Sequence, residues 1–310
     1  MKLEGIHHVT AITGDAPRNV DFYTRVMGLR LVKKTVNQDD PTVYHLFYAD
    51  EKASAGSDLT FFEYPGAMKG RAGAGMVHRV GYRVASEDAL EFWEQRLRGE
   101  GVDVSRGDGG LVFDDPEGLG LELRVTDTTD EPLIADHPEI PAEVALQGFD
   151  RVRAYTVEPE RSRELLEQTL EFDRVAENAY EARGQQRGGF YHYDFSDKRG
   201  VQGAGTVHHV AWASPIDEHE AWRERVAAAG AHPTPVIDRF YFRSIYFREP
   251  SGVLFELADD GPGFTVDGLS YEQLGSQIIL PPKFEPHREQ IEAVLTPLPD
   301  PRASWSLTDS

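Results

Sequence analysis

The opening Gly5-Ile6-His7-His8-Val9-Thr10 returns, about two-thirds of the chain later, as Thr206-Val207-His208-His209-Val210-Ala211. Each copy sets apolar or β-branched residues around a histidine pair in strand-like alternation, and each is followed by a loop and a helical pattern. Recurrence marks an internal repeat before it marks a site. Two further openings, Met76-Val77-His78-Arg79-Val80 and Gly148-Phe149-Asp150-Arg151-Val152, complete a set of four segments. Each segment reads strand, helix, three strands. A lone βαβββ unit has a curved sheet with one uncovered face, so units must pair to bury it. The expected fold is therefore α+β, four βαβββ modules paired into two curved-sheet domains.

The helical stretches carry their own signals. After Pro17, Val20, Tyr23 and Met27 share a face, and Gly28 suits the stop; extended stretches follow at 29–36, 42–49 and 59–64. In the second unit Ser86 reads as an N-cap, with Glu87 and Asp88 favourable in the first turn and Leu90, Trp93 and Leu97 as the inward stripe. Gly99 or Gly101 ends that helix, and extended pieces run on to 119–125. The third helix carries Leu165, Leu166, Thr169 and Leu170, with a last strand near 189–195. The fourth is expected to begin at Pro215, with Trp222, Val226 and Ala229 inward and Gly230 as its stop. Strands then fall at 239–247 and 252–258. The Asp-, Glu- and Pro-rich stretch 126–147 reads as a linker, and glycine-rich 66–75 separates the first two units. The domains expected are 1–65 with 206–265, 76–126 with 148–196, and a C-terminal extension at 266–310. A short helix near 287–294 and a mobile tail at 297–310 belong to that extension.

Composition narrows the chemistry. Without cysteine there is no disulfide framework and no thiolate metal site, so any metal must sit on imidazole and carboxylate. Lys+Arg number 32 against 53 Asp+Glu, a net charge of -21 with seven lysines. Such a surface repels phosphate backbones and argues against nucleic-acid binding. It suits a salt-rich cytoplasm or plain solubility, and the sequence leaves both open. No run approaches the roughly 18 apolar residues of a membrane span, and the N-terminus lacks a signal-peptide core. The expectation is a cytoplasmic protein without a membrane partner.

The repeat supplies an internal control for the site. At the fourth position of the opening strands stand His8, Arg79, Arg151 and His209. In the last strands of units two and four, Glu122 and Glu256 each lie six residues after a proline (Pro116, Pro250). An inward glutamate in an apolar strand is costly unless it is paired or on a metal. Two histidines and one carboxylate with open positions is the ligand set of non-haem Fe(II) oxygenases, which singles out His8, His209 and Glu256. Units one and four must then share a cavity. In unit two, Arg79 and Glu122 are expected to form an ion pair in place of the metal.

Strand parity places Thr10 and Ala211 on the ligand face and sends His7 and His208 to the other, unless a bulge turns them. Tyr246, ten before Glu256 on the preceding strand, is a candidate acid or hydrogen-bond donor. Arg239 is expected at the start of that strand, as an oxyanion partner or a surface arginine. Glu63 reads as a fourth ligand or a strand-end charge. His45 and His192, on central strands, are left unassigned.

With these residues in hand the chain resembles the vicinal oxygen chelate superfamily, and within it the ring-cleaving dioxygenases that act on hydroquinones. The resemblance spans roughly residues 5–290. It rests on His-His-Val-Thr at 7–10, Phe22-Tyr23 with Val26-Met27-Gly28-Leu29, Tyr44-His45-Leu46, Gly252-Val253-Leu254-Phe255-Glu256, and Ser270 through Leu274-Gly275 with Leu280-Pro281-Pro282. It implies Fe(II) on His8, His209 and Glu256, with Mn(II) suited to the same ligands. It also implies a polar surround of His7, Thr10, His208, Arg239 and Tyr246, and cleavage of a ring C–C bond of a small aromatic diol by O2. A homo-oligomer is left open. Two other readings stand beside it: a glyoxalase-type isomerase, which needs Glu63 on the metal, and a metal-free binder of aromatic compounds.

Overall fold

The computed structural model describes residues 1–107, 109–303 and 305. Four strands come from each repeat. The first gives β1 (Ile6–Thr13), β2 (Arg30–Val36), β3 (Tyr44–Ala49) and β4 (Asp58–Glu63); the second gives β5 (Met76–Val84), β6 (Ser105–Gly107), β7 (Gly110–Asp114) and β8 (Gly120–Val125). The third gives β9 (Phe149–Thr156), β10 (Asp173–Ala176), β11 (Ala179–Arg183) and β12 (Gly188–Phe195). The fourth gives β13 (Thr206–Ala213), β14 (Ile237–Asp238), β15 (Arg243–Arg248) and β16 (Leu254–Ala258).

These strands form two curved eight-stranded sheets, ordered β14-β15-β16-β13-β1-β4-β3-β2 and β10-β11-β12-β9-β5-β8-β7-β6. The first sheet joins repeats one and four through the antiparallel β1–β13 pair, and the second joins two and three through β5–β9. Every residue of β1 is buried. Its histidines are therefore core residues by position, and each polar atom needs a partner.

The helical segments follow the apolar stripes but not always as α-helix. In repeat two, α2 (Glu87–Gly99) starts at Ser86, whose side chain accepts the Ala89 N–H, and buries Leu90, Trp93 and Leu97. In repeat one, α1 (Ala16–Asp21) gives way to a π-turn at Phe22–Val26, with Gly28 at φ +70 closing it. Repeat three has no α-helix longer than the two residues Arg163 and Glu164, which link a 3₁₀ turn at Pro159–Ser162 to a π-turn at Leu165–Thr169. The buried side chains are those expected, but widening the winding to i→i+5 changes their angular spacing. In repeat four, α3 (His219–Ala228) begins four residues later than expected and leaves Ala229 exposed. Asp217, at φ +70, is in the left-handed region, so the helix cannot run back to Pro215.

The C-terminal extension covers the β2 edge of the first sheet. Arg30 donates to the carbonyls of Tyr271 at 2.5 Å and Leu274 at 3.3 Å, and Lys34 to that of Ser276 at 3.3 Å. Lys33, fully buried, pairs with Asp267 and donates to the Phe264 carbonyl at 2.9 Å. This explains how a strand reading Arg-Leu-Val-Lys-Lys-Thr-Val is buried throughout: its cations donate to backbone carbonyls of the C-terminal extension, and Lys33 pairs with the Asp267 carboxylate. The expected short helix is α4 (Arg288–Glu292). The tail is not free as far as it is described: Arg302 pairs with Glu51 at 2.8 Å and donates to the Asp136 carbonyl at 2.8 Å. Positions 304 and 306–310 of that tail lie outside the described residues. No described helix is long and apolar enough to cross a membrane.

Candidate metal centre

A bulge in each central strand builds the site. The β1–β13 register runs Ile6↔Trp212, His8↔Ala211, then Thr10↔His209, Ala11↔Val207. His7 is the extra residue of one bulge and His208 of the other. A bulge re-aims a side chain that alternation would send away, so each pair turns edge to edge. The Nδ1 atoms of His7 and His8 are 2.9 Å apart, and those of His208 and His209 2.8 Å. Parity alone put His7 and His208 on the far face; the bulges override it.

Three ligand atoms converge. Glu256 Oε2 lies 3.2 Å from His8 Nε2 and 2.9 Å from His209 Nε2, and the two imidazole nitrogens are 3.3 Å apart. These three are the one such metal-ligand group among the described residues. The proton positions follow from partners. His7 Nε2 is 3.0 Å from the Asp259 carbonyl, which can only accept, so His7 carries its proton there. Neutral His7 then accepts at Nδ1, His8 donates from Nδ1, and the His8 Nε2 lone pair faces Glu256 and His209. Glu256 Oε2, fully buried, accepts no hydrogen bond. A proton or a metal cation between these nitrogens and the buried carboxylate balances the cluster, and the donor set fits a divalent metal with imidazole and carboxylate preference.

Without a metal, the charge of Glu256 is balanced by the imidazoles around it. Burial acts to raise the Glu256 pKa, but His8 and His209 prevail and hold it well below the usual carboxylate range. Burial acts to lower His8, and Glu256 overrides it so that the His8 pKa rises. His209 is lowered, burial outweighing Glu256. His7, desolvated and beside His8, is pushed down to about 3 and stays neutral.

A cavity of about 490 Å³ opens over these ligands, walled by Phe47, Phe62, Phe242, His45, Arg239 and Tyr246. Tyr246 donates its hydroxyl to Glu256 Oε1 at 2.9 Å, and Ser244 donates to the same oxygen. Arg239 is not on β15 as expected. It sits in the turn after β14, where Phe240 has φ +72, and this turn corrects its parity. Its Nε donates to Tyr246 Oη at 3.3 Å and Nη1 to Asp39 at 3.1 Å. His208 is exposed and lines the cavity.

Two expected site residues are placed differently. Thr10, fully buried, does not line the cavity; its hydroxyl meets Thr60 Oγ1 at 2.8 Å. Glu63 is no fourth ligand: it accepts from the Ala16 N–H at 3.1 Å and from Thr296 at 2.8 Å, at the far end of β4. His45 joins the cavity, with Nε2 at 2.9 Å from Thr60 Oγ1, while His192 lies in the second sheet, 3.2 Å from Arg151. Ser244, Phe242 and Thr60 were missed. Ser244 alone had a signal, two residues before Tyr246 on the same face.

The second sheet carries the same frame without the donor set. Glu122 is paired by Arg79 at 4.0 Å, as expected, and more closely by Arg151 at 3.4 Å. His78 and Asp150 occupy its bulges. Two guanidinium groups stand where the first sheet has imidazoles, so charge closes the position.

Comparison with known proteins agrees with this architecture. A family model described as the Glyoxalase/Bleomycin resistance protein/Dioxygenase superfamily matches residues 5–123 and 148–257. The Bacillus subtilis (strain 168) protein named "Putative ring-cleaving dioxygenase MhqO" is 41% identical over 96% of this chain and 97% of its own. The "Chlorohydroquinone/hydroquinone 1,2-dioxygenase" of Sphingobium indicum is 33% identical over 94% of this chain and 95% of its own. A solved Bacillus subtilis structure, of a "putative dioxygenase", superposes with a TM-score of 0.88 at 39% identity, over 96% of this chain and 97% of that one. Maize glyoxalase I (TM-score 0.57, 17% identity, 83% and 92% of the two chains) shares the fold. By sequence, sheet topology and repeat structure, this chain belongs to the glyoxalase/bleomycin resistance protein/dioxygenase superfamily.

Proposed function

We propose that the protein is an Fe(II)-dependent ring-cleaving dioxygenase acting on a hydroquinone-type aromatic diol. The observation that carries this is the convergence of His8 Nε2, His209 Nε2 and Glu256 Oε2 beneath an aromatic-walled cavity. Two full-length relatives bear names of ring-cleaving or hydroquinone dioxygenases, which supports the same reading. His8, His209 and Glu256 would hold the metal, which when bound supplies the redox chemistry that lets ring and O2 combine.

The remaining work falls to side chains. Phe47 and Phe62 give a flat apolar wall for the ring. His208 accepts from His209 at Nδ1, so in its neutral form it carries its proton at Nε2 and faces the cavity as a hydrogen-bond donor to a ring oxygen. Burial and Glu256 push the Tyr246 phenol well above its ordinary pKa, so it remains an O–H donor. Arg239, against that phenol, adds positive charge where the ring oxygens become anionic. His7 and Thr10 act behind the ligands, by orientation.

The test is ¹⁸O₂ turnover of hydroquinone and catechol by Fe(II)-loaded protein. Both labelled atoms should enter a ring-opened product of hydroquinone. A label-free product, or no ring opening with either diol, removes the proposal. The isomerase reading loses its required ligand in Glu63, which is engaged elsewhere.

A further inference from the structure

Among the described residues, Arg239 is the one arginine or lysine that walls the cavity over the metal centre, and Asp39 the one aspartate or glutamate. They meet each other: Arg239 Nη1 donates to Asp39 Oδ1 at 3.1 Å. The Arg239 side chain is 18% exposed and that of Asp39 74%, so the pair stands at the mouth with its cation on the inner side. Local structure fixes both partners. Asn37, buried just beyond β2, accepts the Asp39 N–H on its Oδ1 at 3.0 Å, an Asx turn that presents the carboxylate. The Arg239 N–H donates to the Phe242 carbonyl at 2.9 Å, and Gln38 Nε2 donates to the Arg239 carbonyl at 2.5 Å. A loop of repeat one therefore grips a turn of repeat four across the opening. The other polar groups of the wall are engaged as well: His45 with Thr60, His208 with His209, and Tyr246 with Glu256.

We propose that Asp39 determines specificity: by occupying Arg239 it makes the cavity select aromatic diols with uncharged ring substituents and reject those that carry a carboxylate. The inference rests on the ring-cleaving reading above and names the substrate class within it. A carboxylate that leaves water for an aromatic-walled cavity needs a cation to offset its lost hydration. The arginine that could serve is already matched, and Asp39 repels a second anion beside it. A diol with uncharged substituents meets no such penalty, because its ring lies against Phe47 and Phe62 and its oxygens turn toward the metal centre. The pairing takes Nη1 of Arg239 and leaves Nε on the Tyr246 hydroxyl at 3.3 Å, so the guanidinium keeps its place beside that phenol.

The probes are hydroquinone bearing an acetate side arm and the amide of the same compound, which share ring, diol and side-arm length and differ in charge. Binding of each to Co(II)-loaded protein without O2 is measured by calorimetry, and O2 uptake is followed separately with Fe(II)-loaded protein. Wild type should bind the amide more tightly than the acid. Asp39→Asn keeps the size of the side chain and an acceptor for Arg239, and should shift the amide-to-acid affinity ratio toward the acid by at least about tenfold. In wild type the ratio should also narrow between about 0.05 M and 1 M KCl, as the exposed carboxylate is screened. An affinity ratio equal in wild type and Asp39→Asn overturns the assignment of Asp39, as does binding of neither probe. The predicted binding shift without ring cleavage of either probe or of hydroquinone overturns the ring-cleaving reading and keeps Asp39 as the charge filter of the cavity.

Discussion

His7 fixes the proton of His8. Its Nε2 is committed to the Asp259 carbonyl at 3.0 Å, so its Nδ1, 2.9 Å from that of His8, can only accept, and His8 must present an unprotonated Nε2 to the ligand cluster. A bulge residue in one strand thereby sets the tautomer of its neighbour.

Removing that orientation should weaken metal binding without removing a ligand. His7→Phe is expected to lower Fe(II) or Co(II) affinity by about 10- to 100-fold, read by chelator competition. Affinity equal to wild type would show that His8 needs no such partner.

Tyr246 touches Glu256 and Arg239 and stands at the cavity wall. Tyr246→Phe should keep the metal and lower kcat for hydroquinone by about 10²-fold or more, in the range of a lost proton donor. Steady-state O2 uptake and metal content together decide this; loss of the metal would assign Tyr246 to the support of Glu256.

Asp58 is fully buried with neither carboxyl oxygen hydrogen-bonded. Burial, with Asp50 adding and His8 opposing, pushes its pKa up from 3.8 to about 7. The folded chain therefore holds a proton that the unfolded chain has released, and stability falls as pH rises from about 4 to 7. Asp58→Asn should flatten that window and add up to about 4 kcal/mol at pH 8. Urea midpoints at pH 5 and pH 8 measure it; equal slopes for the two proteins would contradict it.

In the second sheet Glu122 is buried between Arg79 and Arg151. Arg151→Met should destabilise the fold by about 2 kcal/mol or more, because a buried carboxylate loses its nearer partner, while metal stoichiometry stays that of wild type. Chemical denaturation and metal analysis separate the two effects.

The candidate ligands were legible because the repeat varies at their positions: histidine at 8 and 209, arginine at 79 and 151. Glu256 was legible from its spacing to Pro250, shared by Glu122 and Pro116. What escaped depended on pairing between strands. The bulges at His7 and His208 are defined by the opposite strand, so alternation within one strand misplaced both. Glu63 drew attention as the acid closing β4, whereas register puts Thr60 opposite Thr10. The π-turns at Phe22–Val26 and Leu165–Thr169 kept the predicted apolar residues inward, because burial fixes which side chains turn in but not the pitch. Arg239 needed a left-handed Phe240, a conformation that aromatic residues rarely signal.

In the proposed site two distant repeats share one metal. The direct measurement is metal content after anaerobic loading with Fe(II) and desalting, for wild type, His8→Ala, His209→Ala and Glu256→Ala. About one iron per chain in wild type and almost none in each variant is the predicted result, since each removes one of only three protein ligands. Wild-type iron content in any one of the three variants would contradict it.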